Sequence, residues 1–163
     1  MPVTATRVGQ GFDVHPFSDD PARALVLGGV VFDGERGLAG HSDADVIAHA
    51  VTDALLGAAG LGDIGQHFPD TDPSFADADS LELLRQAVAD VRAAGWKPGN
   101  VDCTVVLEAP RLAPRRVEVQ RNLTEVVGAP VTVKGKRAEG LGALGRREGI
   151  ACFAVALVTG DPT

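Results

Sequence analysis

Tyrosine is absent, tryptophan and methionine occur once each, and aromatic residues make up only 4% of the 163-residue sequence. A core built from this chain must therefore rest on Val, Leu, Ile and Ala. Cysteine is almost as scarce: Cys103 and Cys152 both lie inside apolar, strand-like runs. Two buried free thiols are expected rather than a disulfide, which fits a reducing cytoplasm. Positive charge is in deficit, with 15 Lys and Arg against 22 Asp and Glu for a net charge of −7. Such a chain repels phosphate backbones at long range, so nucleic acid is not an expected partner. A small phosphorylated ligand stays compatible, because a local cation inverts the field of one pocket. Long apolar runs are missing too: residues 24–32 and 150–158 are about half the length that spans a bilayer. No charged opening followed by an apolar run marks a signal peptide, so neither membrane insertion nor export is expected.

What is present is an ordinary globular mixture, 45% apolar and 23% charged. The length favours one domain over residues 1–163, large enough to bury roughly 70% of the surface its unfolded form exposes. Residues 6–14 and 24–32 read as strands joined by a turn rich in Pro, Ser and Asp. Ser42, with Asp45 three residues on, opens a helix that continues to about Ala59. At about 100° per residue its apolar positions Ile47, Val51, Ala54, Leu55 and Ala58 share one face, with Asp45, His49 and Asp53 opposite. Residues 61–80, rich in Gly, Pro and Asp, read as a long loop of the kind that is usually functional. A second helix is expected over 80–94, a strand over 101–109, a third helix over 114–127, and strands over 131–136 and 150–158. The order β-β-α-α-β-α-β-β implies an α/β (α+β) fold, a single mixed sheet with helices packed on it. The apolar runs 101–107 and 150–158 suggest strands covered on both faces, some of that cover coming from another subunit.

Three of the four histidines fall in two segments, Gly11-Phe12-Asp13-Val14-His15-Pro16 and the stretch from His41-Ser42-Asp43-Ala44-Asp45 to His49. Asp13 and His15, two apart at a strand end, point to one side of the sheet. With the helix-borne His49 they make a reasonable three-ligand set for Zn²⁺ that leaves one tetrahedral position for substrate. The same spacings also suit a solvated strand end and a wet helix face. In a metal site, Asp45 or Asp53 could orient His49. The Gly-rich stretch 140–145, with Lys134, Lys136, Arg137, Arg146 and Arg147 nearby, can cradle a phosphate or form an ordinary hairpin loop. It is neither a P-loop nor a dinucleotide fingerprint.

Taken together, Gly11–His15, His41–Asp45, Thr52-Asp-Ala-Leu-Leu-Gly57, Leu61-Gly-Asp-Ile-Gly65 and Phe68-Pro-Asp-Thr-Asp-Pro73 resemble the 2-C-methyl-D-erythritol 2,4-cyclodiphosphate synthase family of the non-mevalonate isoprenoid pathway. The likeness runs from Arg7 to Cys152. It implies a homotrimer with active sites between subunits. It implies Zn²⁺ on Asp13, His15 and His49, and Mg²⁺ or Mn²⁺ on Glu139 and the substrate diphosphate. Around the methylerythritol phosphate it places His41, Ser42, Asp63, Ile64, Gly65, Phe68, Asp70 and Asp72. On the cytidine and diphosphate side it places Ala109, Pro110, Arg111, Leu112 and Ala113, together with Lys136, Arg137 and Glu139. His41, Asp63, Lys136 and Arg137 are the expected catalytic groups, with Asp63 clamping a substrate hydroxyl and residues 61–72 acting as a lid. Where the family is usually rich in Thr, this chain has Lys136-Arg137-Ala138, whose cations can pair with phosphate directly. Arg146 matches a position near the threefold axis that can meet an isoprenoid diphosphate, in an apolar channel that includes Phe12 and Phe153. A zinc-dependent phosphodiester hydrolase and a non-catalytic ligand-binding trimer of the same fold are the alternatives.

Overall fold

The structure, a computed structural model, describes residues 4–160. The chain begins with strands β1 (Ala5–Pro16), β2 (Leu25–Leu27) and β3 (Val30–Phe32), followed by helices α1 (Val46–Ala59), α2 (Ile64–His67) and α3 (Ser80–Ala93). Strand β4 (Trp96–Val106), helix α4 (Arg116–Val127), strand β5 (Val131–Lys136), the one-turn α5 (Gly142–Gly145) and strand β6 (Gly149–Gly160) complete it. The central sheet runs β1-β6-β4-β5; β6 is antiparallel to both neighbours, while β4 and β5 are parallel. A mixed sheet with packed helices is the fold class implied by the sequence.

Residues 24–32 depart from the expected second strand. They fold as a hairpin, β2 against β3, turning at Gly28 and Gly29 and forming a separate two-stranded sheet. Both glycines have positive φ, which breaks the apolar run in two. Helix α1 starts at Val46 rather than near Ser42. Asp45 caps it by accepting from the Ile47 and Ala48 amides, while the Ser42 hydroxyl accepts from Ala44 N–H.

Helices α1, α3 and α4 lie over one face of the sheet. Helix α1 rests directly on β1, where glycine is required: a Cβ on Gly9 would lie 2.1 Å from Ala54 O, and one on Gly11 2.0 Å from Ala50 O. That contact buries α1 nearly all round and removes the expected division into an apolar and a wet face. The opposite face of the sheet is uncovered in one chain. Val8, Phe12, Val14, Phe153 and Val155 stand exposed there, Val8 at 65%. Cys103 and Cys152 are free and buried, and the Cys152 thiol is pushed well above its ordinary pKa by its hydrogen bond with Cys103 and by burial. Among the described residues, no helix is long and apolar enough to cross a membrane.

Candidate metal centre and flanking pockets

Strand β1 delivers Asp13 and His15 on one side of the sheet, and the first turn of α1 brings His49 to meet them. The closeness of α1 to Gly11 makes that meeting possible. Asp13 Oδ2 lies 2.9 Å from His15 Nε2 and 3.0 Å from His49 Nδ1, and the two ring nitrogens are 3.3 Å apart. The far side of each ring is engaged as well. His15 Nδ1 donates to the Ala39 carbonyl at 2.8 Å. His49 Nε2 sits 2.9 Å from the Ser80 hydroxyl and 3.1 Å from that of Ser42. Gly40 leaves room for the His15 ring, since a Cβ there would lie 3.0 Å from its Cε1.

Burial opposes ionisation of Asp13, but hydrogen bonds and charge from His15 and His49 outweigh it and hold its pKa at about 2. Burial likewise pulls the His15 pKa down, and the stronger pull of Asp13 leaves it raised. The cluster is thus a carboxylate stabilised by two imidazoles, with one donor atom of each residue close to the others. Among the described residues it is the only group of three or more such side chains that can share an ion, its donor atoms within 4.8 Å of one another. One oxygen and two nitrogen donors fit a divalent cation with a coordination position left open.

A pocket of about 430 Å³ opens over this cluster. It brings together Asp13, His15, His41, Ser42, His49, Ile64, Gly65, Phe68 and Asp70, with Pro69, Phe75 and Leu83 forming an apolar side. Phe68 and Phe75 pack edge to face at 5.4 Å. The expected loop 61–80 is therefore partly ordered, into α2 and a turn of 3₁₀ helix at Pro73–Phe75. Asp63 and Asp72 do not line the pocket. Asp63 caps α2 through Gln66 N–H at 2.9 Å, and Asp72 caps the 3₁₀ turn through Ser74 N–H at 2.9 Å. The Asp72 carbonyl accepts from His41 Nε2 at 3.0 Å.

Neither Asp45 nor Asp53 orients His49. Asp45 is fully buried and accepts from the Gly28 and Gly29 amides at 2.8 and 2.7 Å, pinning the hairpin turn to the start of α1. Burial and the nearby Asp43 charge push its pKa up to about 6. Asp53 accepts from Ile64 N–H at 3.2 Å and ties α2 to α1. The groups that touch the far side of His49 are Ser80 and Ser42. Ser80 is 31 residues away, and no local spacing pointed to it.

A second pocket, of about 370 Å³, gathers Pro110, Arg111, Leu112, Ala113, Lys136 and Arg137, with Leu107, Glu108, Arg116 and Gly135. Arg137 grips Glu108 through Nη2 at 2.8 Å and Nε at 3.2 Å. Ala109, joined to Pro110 by a cis peptide, lines an adjoining pocket instead. Glu139 is exposed at a φ of 54°, and Arg146 is exposed and paired with Glu148 at 2.7 Å. The two pockets share no residue. Strands β1 and β5, which lead into them, occupy opposite edges of the sheet, roughly 14 Å apart at the usual strand spacing. The stretch 140–145 does not form a hairpin loop, because β5 and β6 are not paired; it closes as α5.

A family model described as the YgbB family matches residues 6–159. The chain belongs to the YgbB family. The 2-C-methyl-D-erythritol 2,4-cyclodiphosphate synthase of Bordetella petrii is 57% identical over 155 residues, which are 93% of this chain and 94% of that protein. The protein of the same name from Aromatoleum aromaticum is 57% identical over 162 residues, covering 96% and 97%. Among solved structures, IspF from Plasmodium falciparum in complex with CDP superposes with a TM-score of 0.82 at 34% identity, covering 96% of this chain and 97% of that one. The bifunctional IspDF of Campylobacter jejuni gives 0.92 at 41% identity over 98% of this chain, which spans 43% of that longer protein. The family resemblance carried by the sequence motifs is thereby borne out.

Proposed function

We infer that this chain is a 2-C-methyl-D-erythritol 2,4-cyclodiphosphate synthase, a cyclising phosphorus–oxygen lyase of non-mevalonate isoprenoid biosynthesis. Its substrate is 4-diphosphocytidyl-2-C-methyl-D-erythritol 2-phosphate. The substrate's own 2-phosphate attacks the β-phosphorus, the bond from that phosphorus to the CMP oxygen breaks, and the 2,4-cyclodiphosphate and CMP leave. The observation that carries this reading is the convergence of Asp13, His15 and His49, in a YgbB-family chain, beneath an open pocket.

A phosphate nucleophile is already anionic near neutral pH, so the chain need not supply a strong base. Its residues must bring two anions together and balance their charge, because phosphoryl transfer depends mainly on positioning and electrostatics. Asp13, His15 and His49 would hold Zn²⁺, and Glu139 a Mg²⁺ or Mn²⁺ ion. When bound, these ions supply Lewis-acid neutralisation at the phosphoryl oxygens. His41 and Ser42 bind the methylerythritol phosphate beside the apolar wall of Ile64 and Phe68, while Gly65, Asp70 and Asp72 belong to the loop over it. Asp63 clamps a substrate hydroxyl, exchanging its exposed Gln66 side-chain partner at 3.3 Å. Residues 61–72 act as the lid. On the nucleotide side, residues 109–113 receive the cytidine, and Lys136 and Arg137 pair with the diphosphate in place of Thr hydroxyls.

Two observations support a homotrimer with interfacial sites. One is the uncovered apolar face with Phe12, Val14, Phe153 and Val155, where covering each large side chain is worth ~2 kcal/mol. The other is the separation of the two pockets at opposite edges of the sheet. Arg146 would then lie near the threefold axis. The free thiols of Cys103 and Cys152 suit the cytoplasm. Phosphorus NMR of the purified chain with substrate, Zn²⁺ and Mg²⁺ tests the reaction: a cyclic diphosphate plus CMP is expected. A ring-free phosphate means a hydrolase, and unchanged substrate means a binding protein. Light scattering tests the assembly, with a trimer expected from the native chain and smaller species from Val155→Asp.

A further inference from the structure

The far side of His49 holds a buried relay that the reaction does not itself use. Ser80 is fully buried and its hydroxyl donates to Asp43 Oδ1, while its backbone N–H donates to Asp43 Oδ2 at 3.2 Å. A hydroxyl has one proton, and here the carboxylate takes it. Toward His49 Nε2, 2.9 Å away, the Ser80 oxygen can then only accept. Nε2 must therefore carry a ring proton, so Nδ1, which faces Asp13 Oδ2 at 3.0 Å, is the nitrogen left to bind an ion. Ser42 Oγ, 3.1 Å from Nε2, can share that proton but is itself an acceptor for Ala44 N–H at 3.2 Å and has no carboxylate behind it.

We propose that Asp43 and Ser80 are positioning residues that fix the tautomer and orientation of His49 and so set how tightly the Asp13–His15–His49 cluster holds its divalent ion. Two backbone hydrogen bonds keep the relay in register: Asp77 N–H to His41 O at 2.8 Å, and Asp43 N–H to Ala78 O at 3.1 Å. These bonds pair residues 41–43 with 77–78 just before α3 opens at Ser80. The end of the loop over the pocket is thus joined to a metal ligand through one side chain. His15 has a backbone equivalent in the Ala39 carbonyl, which can only accept. The two rings are held by different means, one by main chain and one by a replaceable side-chain pair. Hydrogen bonds of this kind typically change metal affinity about 10- to 100-fold when removed.

The inference rests on the metal-site reading alone, and its test needs no turnover. The native chain is titrated with Co²⁺ for its visible absorption, and its Zn²⁺ affinity is measured by chelator competition. Ser80→Ala, Ser80→Thr and Asp43→Asn are treated alike, with circular dichroism as the check on folding. Ser80→Ala is expected to weaken Zn²⁺ about 10- to 100-fold and to alter the Co²⁺ spectrum. Asp43→Asn, which keeps an acceptor but loses the charge, should weaken Zn²⁺ less, and Ser80→Thr should restore affinity. Native affinity and spectrum in folded Ser80→Ala would overturn the proposal, as would failure of the native chain to bind either ion. If Ser80→Ala fails to fold, Asp43→Asn decides the question by the same criteria. A chain that binds metal as expected yet forms no cyclic diphosphate refutes the proposed reaction and leaves this inference intact.

Discussion

The pocket over Asp13 and the pocket beside Arg137 both collect charge, but on different physical terms. At the first, the side chains of Asp13, His15 and His49 are 23%, 18% and 11% exposed, and each ring nitrogen has a defined partner. At the second, the Arg137 side chain is 65% exposed while its partner, the Glu108 side chain, is only 4% exposed. Groups held out of water interact strongly and move little, so they can prepare a metal site before any ligand arrives. An exposed guanidinium is screened and free to turn toward another anion, which would suit the proposed nucleotide pocket. The contrast also separates what each region is expected to lose when altered.

The largest effect is expected at His49. His49→Ala should remove metal and lower cyclase turnover by about 10³-fold, read by phosphorus NMR, while the chain stays folded by circular dichroism. Next is Asp45, which supports the same region without touching it. Asp45→Ala strips the cap of α1 and leaves the Gly28 and Gly29 amides without their acceptor, so urea denaturation should report a loss of about 3 kcal/mol.

The third expectation sets a half-buried carboxylate against a fully buried one in the metal-free protein. Asp13 has its pKa lowered from 3.8 to about 2, so its contribution is present above about pH 4 and is lost as the pH falls toward 2. That contribution is about 2 kcal/mol. Asp45 has its pKa raised from 3.8 to about 6, so folding favours its protonated form. Its contribution is present below about pH 4 and is lost as the pH rises through 6. Urea midpoints taken at stepped pH should rise between 2 and 4 and fall between 4 and 6. Asp45→Asn should remove the fall and keep the rise. The smallest effect is expected at the open pocket. Arg137→Thr should raise KM about tenfold through one lost charged hydrogen bond, with no change in metal retention. If metal retention changed, the two regions would not be independent.

Much of the architecture was legible locally. The 3.6-residue apolar pattern marked α1, and the strand expected over 131–136 is β5 with its observed bounds. The hairpin at Gly28-Gly29 was missed, because an unbroken apolar run hides a turn whose evidence is the positive φ of two glycines. At the site, Asp13, His15 and His49 could be picked out by residue type and by family likeness. The choice of support for His49 went wrong at Asp45 and Asp53. Both lie at helical spacing from it, but helix capping and the α2 tether claim their carboxylates. Ser80 read only as a helix opening, since nothing near it in the chain reveals a partner on another helix.

By itself, the sequence determined the class of chain: acidic, aliphatic-cored, mixed α and β, with a strand-borne Asp-x-His pair and a helix-borne His. Those properties reside in residue types and in spacings of a few positions, where backbone periodicity and capping act. The tertiary structure alone decided that α1 lies on bare glycines of β1, that His49 therefore reaches Asp13, and that Ser80 stands behind it. Such contacts depend on close packing and proton bookkeeping between segments more than thirty residues apart, and no local preference encodes them.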